Sequence, residues 1–481
     1  MKNKYLHRIS SVLAVCLVIT LLSGCGQTSV AETNKIEPME AEKVLSYSFD
    51  ITGGDDVMPL VGYYGPYRTP YGHNGNGFAD NLTDEWYQAV AECGINVISY
   101  PQIDYASAPD AVMKSLELAE KYGIAQAVKN SKITENFDIT KEEAIKYSKE
   151  YVNHPAFAGH YLYDEPGNAG YFSYLTNLSQ LNNLDKILTG DSNRWNYLNL
   201  LGCGKWEEAA SYADYFKEYC ETMNNPVLCY DNYELFDPED ENRNDHSNLI
   251  WNMALAWKYA KEYDKVLWVY VATGGQFNDA GAQLESKPYH PNEGQFDWAV
   301  NLSLVLGAKG INYFTLSQPY HFSYGAEAGE FDFQRNGIIG ADGSKTQWWH
   351  YAKNINKHIA TIDEVLMNSV SKGIVVAGEK AKYDCRYITE EMYCDSSMVL
   401  GTSWRELAEI SGDAIVGCFN YQGKTALYVM NYDANYAQKV DLKFTQKCDV
   451  KVIQNAETSY VKGNGIPLDL AAGEGVLLVF E

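Results

Sequence analysis

One pattern, repeated along the middle of the chain, limits the fold more than any other: an amphipathic helix, a glycine, then a short apolar strand. In DEWYQAVAECGINVISYP, Trp86, Ala89, Val90 and Cys93 share a helical face, Gly94 ends the helix, and Ile95 to Tyr100 reads as a buried strand. PDAVMKSLELAEKYGIAQAVKN repeats it, with Val112, Leu116 and Ala119 on one face, Gly123 at the turn and Ile124 to Val128 as the strand. FDWAVNLSLVLGAKGINYFTL repeats it again, with Gly310 before Ile311 to Leu316. A glycine after a helix supplies the left-handed residue that ends it. Amphipathic helices alternating with short apolar strands imply parallel βαβ units.

Eight such strands are expected, near Leu60–Tyr64, Asn96–Tyr100, Ala125–Lys129, His160–Tyr163, Tyr197–Leu201, Val227–Tyr230, Val266–Ala272 and Ile311–Thr315. Their number and spacing fit an α/β fold, a (β/α)8 TIM barrel over residues 46–365. A doubly wound open sheet is the alternative arrangement of the same units. After about Asp363 the period changes. ALYVMNYDANYAQKVDLKF reads as two alternating strands around a turn at Asp433–Asn435, and IPLDLAAGEGVLLVFE as another strand pair around Gly473–Gly475. Residues 366–481 are therefore expected to form a C-terminal antiparallel β-sandwich.

The first residues bear on compartment. Lys2, Lys4 and Arg8 precede an apolar run from Ile9 to Leu22, the layout of a secretory signal. The run ends in LLSGC, which matches a bacterial lipobox with Cys25 as the lipidated residue; an ordinary cleaved signal or an uncleaved anchor are the other readings. Residues 1–24 are read as a lipoprotein signal peptide and 25–45 as a polar tether, which places the protein outside the cytoplasm on a membrane anchor.

The formal charge of −25 argues against nucleic acid or anionic lipid headgroups as partners. Of the ten cysteines, Cys16 and Cys25 lie in the signal region, and the rest are scattered without a CxxC pair. A bridge between Cys385 and Cys394 is left open. No HExxH or close histidine pair is present, and the acidic run at 237–245 lacks the terminal Glu of a calcium loop. No metal or other cofactor is expected.

In a barrel the strand ends converge on one face. Here they carry Tyr63 and Tyr64; Tyr100, Gln102 and Asp104; Lys129 and Asn130; Asp164 and Glu165; Asn199; Asp231 and Tyr233; Thr273 and Gln276; and Gln318, Tyr320 and His321. A cleft rich in carboxylates, amides and aromatic rings, poor in cations, suits an oligo- or polysaccharide. Ring faces stack on aromatics, hydroxyls need paired donors and acceptors, and an oxocarbenium-like transition state needs negative charge. In GHYLYDEPG, Glu165 is placed as a general acid, Asp164 orients its neighbours and Pro166 fixes the backbone after them. The same DEP also suits a helix start, where acids are favoured.

Residues 59–365 resemble the large (β/α)8 glycoside hydrolase clan that includes the family 42 β-galactosidases. They are more narrowly similar to bacterial glycosidase-like barrel lipoproteins, through YDEPG, NYLNLLG, LCYDNYE, GAKGINYFTL and DGSKTQWWHYAKNINKHI. The resemblance implies an acid/base Glu at the fourth strand, here Glu165, with Asp164 where the clan usually has Asn. The clan's nucleophile is a Glu after strand seven; VATGGQF has none there, and Gln276 is the nearest position. Asp231 is then the second carboxylate, as base or nucleophile or as a sugar ligand. Glu327, Glu330 and Asp332 are further acids in the loop after strand eight. A non-catalytic carbohydrate-binding lipoprotein is the alternative to a hydrolase. A transporter's binding protein is disfavoured by the all-β tail.

The lipobox reading predicts that Cys25→Ser abolishes incorporation of labelled fatty acid and releases the protein from membranes. Unchanged membrane attachment, with no label on wild type, would overturn it.

Overall fold

In the computed structural model, the structure describes residues 36–66, 80–167, 177–190, 194–233, 245–273, 292–317, 337–340 and 343–481. The signal segment and Cys25, Gln276, Gln318, Tyr320, His321, Glu327, Glu330, Asp332 and the acidic run at 237–244 lie outside these residues. Residues 37–481 form one compact unit.

All eight expected strands are present: β1 (Leu60–Gly62), β2 (Val97–Ile98), β3 (Ala125–Val128), β4 (Phe157–Asp164), β5 (Tyr197–Asn199), β6 (Val227–Tyr230), β7 (Val266–Ala272) and β8 (Ile311–Phe314). They run parallel in the order β5-β4-β3-β2-β1-β8-β7-β6. The seam between β5 and β6 is closed by a bridge from Leu200 to Tyr230, with the Leu200 amide donating to Cys229 O at 2.9 Å and the Asp231 amide to Leu200 O at 2.9 Å. The sheet is thus a nearly closed barrel with helices outside it, as the alternation predicts.

The helix stops follow the glycines, with one shift. Gly94 and Gly123 take positive φ of 85° and 69°, as expected. In the third repeat it is Gly307, at φ 92°, that makes the left-handed turn. Gly310 serves packing instead: a Cβ there would lie 2.5 Å from the Trp268 ring. Trp268 and Trp195 fill the barrel interior with ring centroids 5.4 Å apart, and Phe49, from the segment ahead of β1, packs on Trp195 at 5.6 Å. The interior is therefore a packed core below and a polar site above.

The C-terminal strands are β9 (Ser369–Ala377), β10 (Leu407–Ser411), β11 (Ala414–Tyr421), β12 (Lys424–Asn431), β13 (Gln438–Gln454), β14 (Glu457–Leu470) and β15 (Gly475–Phe480). They form an antiparallel sheet in the order β10-β13-β15-β12-β11-β9, with β14 on β13. Two details differ from the sequence reading. β12 and β13 are not paired to each other, because β15 lies between them, and β14 and β15 both pair with β13. The sandwich also has one continuous sheet. β13 shifts register between Lys443 and Cys448, its first part pairing with β10 and its second with β15, so the two ends of the sheet share one core.

Period-two alternation gives this sheet two buried faces. Val375, Leu427, Val429 and Leu478 face its own core, while Val376, Tyr428, Met430 and Leu477 join the core beneath the barrel helices. The helix Glu293–Val305 is bolted to it: Trp298 Nε1 donates to Tyr432 O at 2.9 Å and Asn301 Nδ2 to Gly473 O at 2.8 Å, while Tyr428 OH donates to Asn301 Oδ1 at 2.6 Å. The last barrel helix runs to Met367, slightly past the expected boundary. Residues 37–43, expected within the tether, are hydrogen-bonded to the body, the Met39 amide donating to Gly423 O at 2.8 Å. Cys385 and Cys394 are buried free thiols and not a disulfide.

Trp268 stands where three packing contacts meet inside the barrel, so Trp268→Ala is expected to cost about 3–5 kcal/mol. The measurement is the shift of the denaturation midpoint; a change under about 1 kcal/mol would mean that the interior is not the packed core described.

Candidate functional site

The polar end of the barrel interior is organised around Asp164, the last residue of β4. Its Oδ2 accepts from Tyr63 OH at 2.9 Å and its Oδ1 from Tyr197 OH at 3.1 Å, and Asn199 adds a further side-chain hydrogen bond. The donors are themselves linked: Tyr197 OH lies 2.8 Å from Tyr270 OH, and Tyr63 OH 3.4 Å from Tyr161 OH. The rings pack closely, with Tyr161 stacked on Tyr197 at 4.9 Å and Tyr63 on Tyr100 at 5.0 Å. Tyr64 sits edge-on to Tyr63 at 4.6 Å, and Tyr233 packs on Phe314 at 5.4 Å. Burial pushes the Asp164 carboxyl above its usual range, and its three hydrogen bonds pull it back.

Glu165 follows with a left-handed backbone, φ 51°. Such a torsion costs a non-glycine residue about 1–3 kcal/mol and is kept only where the surroundings enforce it. Two hydrogen bonds do so: the Glu165 amide donates to Asn199 O at 2.9 Å, and Tyr215 OH donates to Pro166 O at 2.6 Å. A left-handed Glu165 cannot lie within a right-handed helix, so DEP is a strand-end turn here rather than a helix start. Tyr64, just past the end of β1, is also left-handed at φ 70°.

Asp231 follows β6. Glu165 and Asp231 flank the end of β5 from its two sides, one bonded through its amide to Asn199 and the other to Leu200. Burial, then the negative charge of Glu165, then that of Asp164, hold the Asp231 carboxyl well above the ordinary carboxylate range, with the Tyr233 side chain pulling the other way. Tyr233 bonds the carboxyl, while Asp231 Oδ1 is buried and has no hydrogen-bond partner among the described residues. Among the described residues, no group of three or more His, Cys, Asp or Glu is arranged to hold a metal ion.

The structure thus brings Asp164, Glu165, Asp231, Tyr63, Tyr64, Tyr100, Asn199 and Tyr233 together at one end of the barrel. Tyr63 and Asn199 are buried, and their polar groups serve Asp164. Other strand-end residues turn out to be structural. Asp104 Oδ1 accepts from the Ala106 and Ser131 amides at 2.9 and 3.0 Å, and Asn130 Nδ2 donates to Tyr151 OH at 3.1 Å. Sequence reasoning missed Tyr161, Tyr197, Tyr270 and Phe314. The signal for two of them was parity: Tyr197 and Asn199, and Tyr270 and Trp268, differ by two and share the inward face.

With this geometry, comparison with solved structures is informative. A family 42 β-galactosidase, Gan42B from G. stearothermophilus, superposes with a TM-score of 0.52 at 8% identity, over 91% of this chain and 100% of that one. A second structure, described as a glycoside hydrolase, gives a TM-score of 0.50 at 12% identity, over 91% of this chain and 97% of that one. The fold is glycoside hydrolase-like. At such identities the likeness concerns the fold alone. No protein-family model matches the sequence, and no curated protein matches it.

A raised carboxyl pKa makes the folded state hold its proton more tightly than the unfolded chain. The stability this gives is full below about pH 4, the unfolded carboxylate pKa, and drains away as pH rises toward the folded pKa. Asp231→Asn is therefore expected to melt at a higher temperature than wild type at neutral pH, with the gap closing toward about pH 4. A gap that widened on acidification would contradict this account of Asp231.

Proposed function

We propose that the protein is an extracytoplasmic glycoside hydrolase, anchored through Cys25, that cleaves a glycosidic bond of an oligo- or polysaccharide with Glu165 and Asp231 as its acid/base pair. The supporting observation is the convergence of the β4-end and β6-end carboxylates on a tyrosine-lined end of the barrel, with one buried carboxyl oxygen unpaired among the described residues. Hydrolysis needs one carboxylic acid to protonate the departing glycosidic oxygen. It needs one carboxylate to activate water or to bond to the anomeric carbon. Two interacting acids, one of which holds its proton more tightly than an ordinary carboxyl, suit both needs.

The surroundings favour the proton on Asp231, since burial and two negative neighbours act on it. Asp231 is then the acid and Glu165 the base or nucleophile, an exchange of the roles that sequence position suggests. Asp164, already bonded by two tyrosine hydroxyls, is a positioning residue that keeps the β4 end in register with β5. The anchoring rests on the basic start, apolar run and LLSGC of the sequence.

Glu165→Gln and Asp231→Asn are each expected to lower kcat/KM by roughly 10²–10⁴-fold. Asp164→Asn should cost less. The two roles separate by leaving group and rescue. Loss of the acid is masked on aryl glycosides with good leaving groups. Loss of a nucleophile is restored by azide, with a changed product anomer. Full turnover by both single variants on a substrate with a poor leaving group would remove the pair from the chemistry.

A further inference from the structure

We infer that Tyr63 and Tyr197 are positioning residues of the proposed reaction: by holding Asp164 in its charged form, they keep the acid proton on Asp231. The inference rests on the reading of Asp231 as the acid and adds the groups that regulate its proton.

A tyrosine hydroxyl has one proton to donate. Tyr197 OH directs it at Asp164 Oδ1, so the Tyr270 hydroxyl, 2.8 Å away, is left to donate to Tyr197. Tyr63 OH donates to Asp164 Oδ2, and Tyr161 OH, 3.4 Å away, is placed to donate in turn. Both rows of hydroxyl protons thus run inward to a carboxylate. A protonated Asp164 would set a hydrogen against a hydroxyl that is already donating, and one row would have to reverse. The rings cannot move aside to help, since Tyr161 is stacked on Tyr197 at 4.9 Å and Tyr63 on Tyr100 at 5.0 Å. Removing one hydroxyl lifts that opposition. Burial already pulls Asp164 toward its neutral form, and the hydrogen bonds are what resist it.

Asp164 reaches Asp231 through its charge. Asp164 pairs with Asn199 of β5, and Leu200 bridges to Tyr230, the residue before Asp231. The two carboxyls therefore stand at strand ends on either side of β5. After burial and Glu165, the Asp164 charge is the next cause that holds the Asp231 proton. This step does not depend on what Glu165 bonds. Among the described residues, the other titratable groups facing Asp164 are the hydroxyls of Tyr63, Tyr161, Tyr197 and Tyr270 and the Cys229 thiol. Asp231 also faces Cys229, with Tyr230 and Tyr233. Burial pushes each of these hydroxyls and the thiol well above its ordinary value, so they stay neutral while carboxyls titrate. Any change of charge around Asp231 in that range comes from the carboxyls.

Denaturation curves on the full chain, from about pH 4 to about pH 9, test this. In wild type, the stability gained by Asp231→Asn grows with pH and levels off at the folded pKa of Asp231. With Tyr197→Phe the gain is expected to be smaller and to level off at a lower pH, because a neutral Asp164 no longer opposes ionisation of Asp231. The two substitutions should depart from additivity by more than the roughly twofold in the unfolding constant that independent sites allow. In an Asp164→Asn background they should add. A purely structural Tyr197 would lower the midpoint equally with and without Asp231→Asn. If Tyr197→Phe does not fold, Tyr63→Phe takes the donor from the other oxygen and carries the same expectation.

A gain that levels off at the wild-type pH in the folded variant, or coupling that persists in the Asp164→Asn background, overturns the inference. The two readings fail separately. If no glycoside is cleaved while the stability cycle holds, the hydrolase reading falls and the control of the Asp231 proton stands. If a glycoside is cleaved, Tyr197→Phe should move the alkaline limb of kcat/KM to lower pH. A limb that stays in place overturns the inference and leaves the hydrolase standing.

Discussion

A carboxylate buried among aromatic rings is tolerable only if donors reach both its oxygens, and Asp164 sets that requirement for the whole upper barrel. Tyr63 from just past β1 and Tyr197 from β5 each give it a hydroxyl, and Tyr270 of β7 supports Tyr197. Hydrogen bonds to a charged acceptor contribute about 1.5–3 kcal/mol each, against a desolvation cost of several kcal/mol for the ion. The donors come from strands spread around the barrel. The same bonds that satisfy Asp164 therefore fix how the strand ends lie relative to one another. The position of Asp231 across β5 from Glu165 depends on that alignment.

The support extends outward. Strand β8 feeds Tyr313 to the helix Gln347–Met367, where its hydroxyl donates to Asn356, and Asn356 in turn donates to Cys93 O at 2.8 Å. The helix Glu293–Val305, between β7 and β8, is clamped by the C-terminal sheet through Trp298 and Asn301. A sheet buried on both faces cannot shift without exposing one of them, so it braces the barrel half that carries β7 and β8. The tail thus contributes rigidity to a barrel whose described strand-end acids follow β4 and β6, the latter paired directly with β7.

What the sequence revealed and what it hid follow one physical division. The eight barrel strands were legible because each is a local event, a short apolar run, marked before β2, β3 and β8 by a helix and a turn glycine. Pairing in the tail was not, because β15 comes between β12 and β13 only through long-range packing that no local pattern encodes. Gly307 and Gly310 show the same limit. Either glycine fits a helix stop, and only the Trp268 ring decides which is needed for space. At the site, Glu165, Asp164 and Asp231 were legible as acids at strand ends. Tyr161 was not, since β4 shifts register against β5 between Tyr161 and Tyr163 and breaks the alternation that would have marked it as inward. Asp104 and Asn130 carried the same strand-end signature, but Asp104 Oδ1 is engaged by the Ala106 and Ser131 amides and Asn130 Nδ2 by Tyr151 OH.

Two acids adjacent in sequence end up in different chemical situations because of one backbone torsion. Consecutive strand residues normally point to opposite faces. At Glu165 the chain leaves the extended region for φ 51°, so the alternation ends at Asp164 and the next carboxylate is free to take a different direction. Asp164 stays in the ladder and is saturated with donors. Glu165 leaves it, and its charge acts most strongly, among those of the neighbouring groups, on the unsaturated Asp231. A carboxylate with donors on both oxygens holds geometry well and reacts poorly, because most of its acceptor sites are already engaged. An unsaturated one beside a like charge is unstable at rest and is relieved by whatever brings it a proton, a donor or a positive charge. The strain at Glu165 and the repulsion at Asp231 are therefore two parts of one arrangement, set by a single turn at the end of β4.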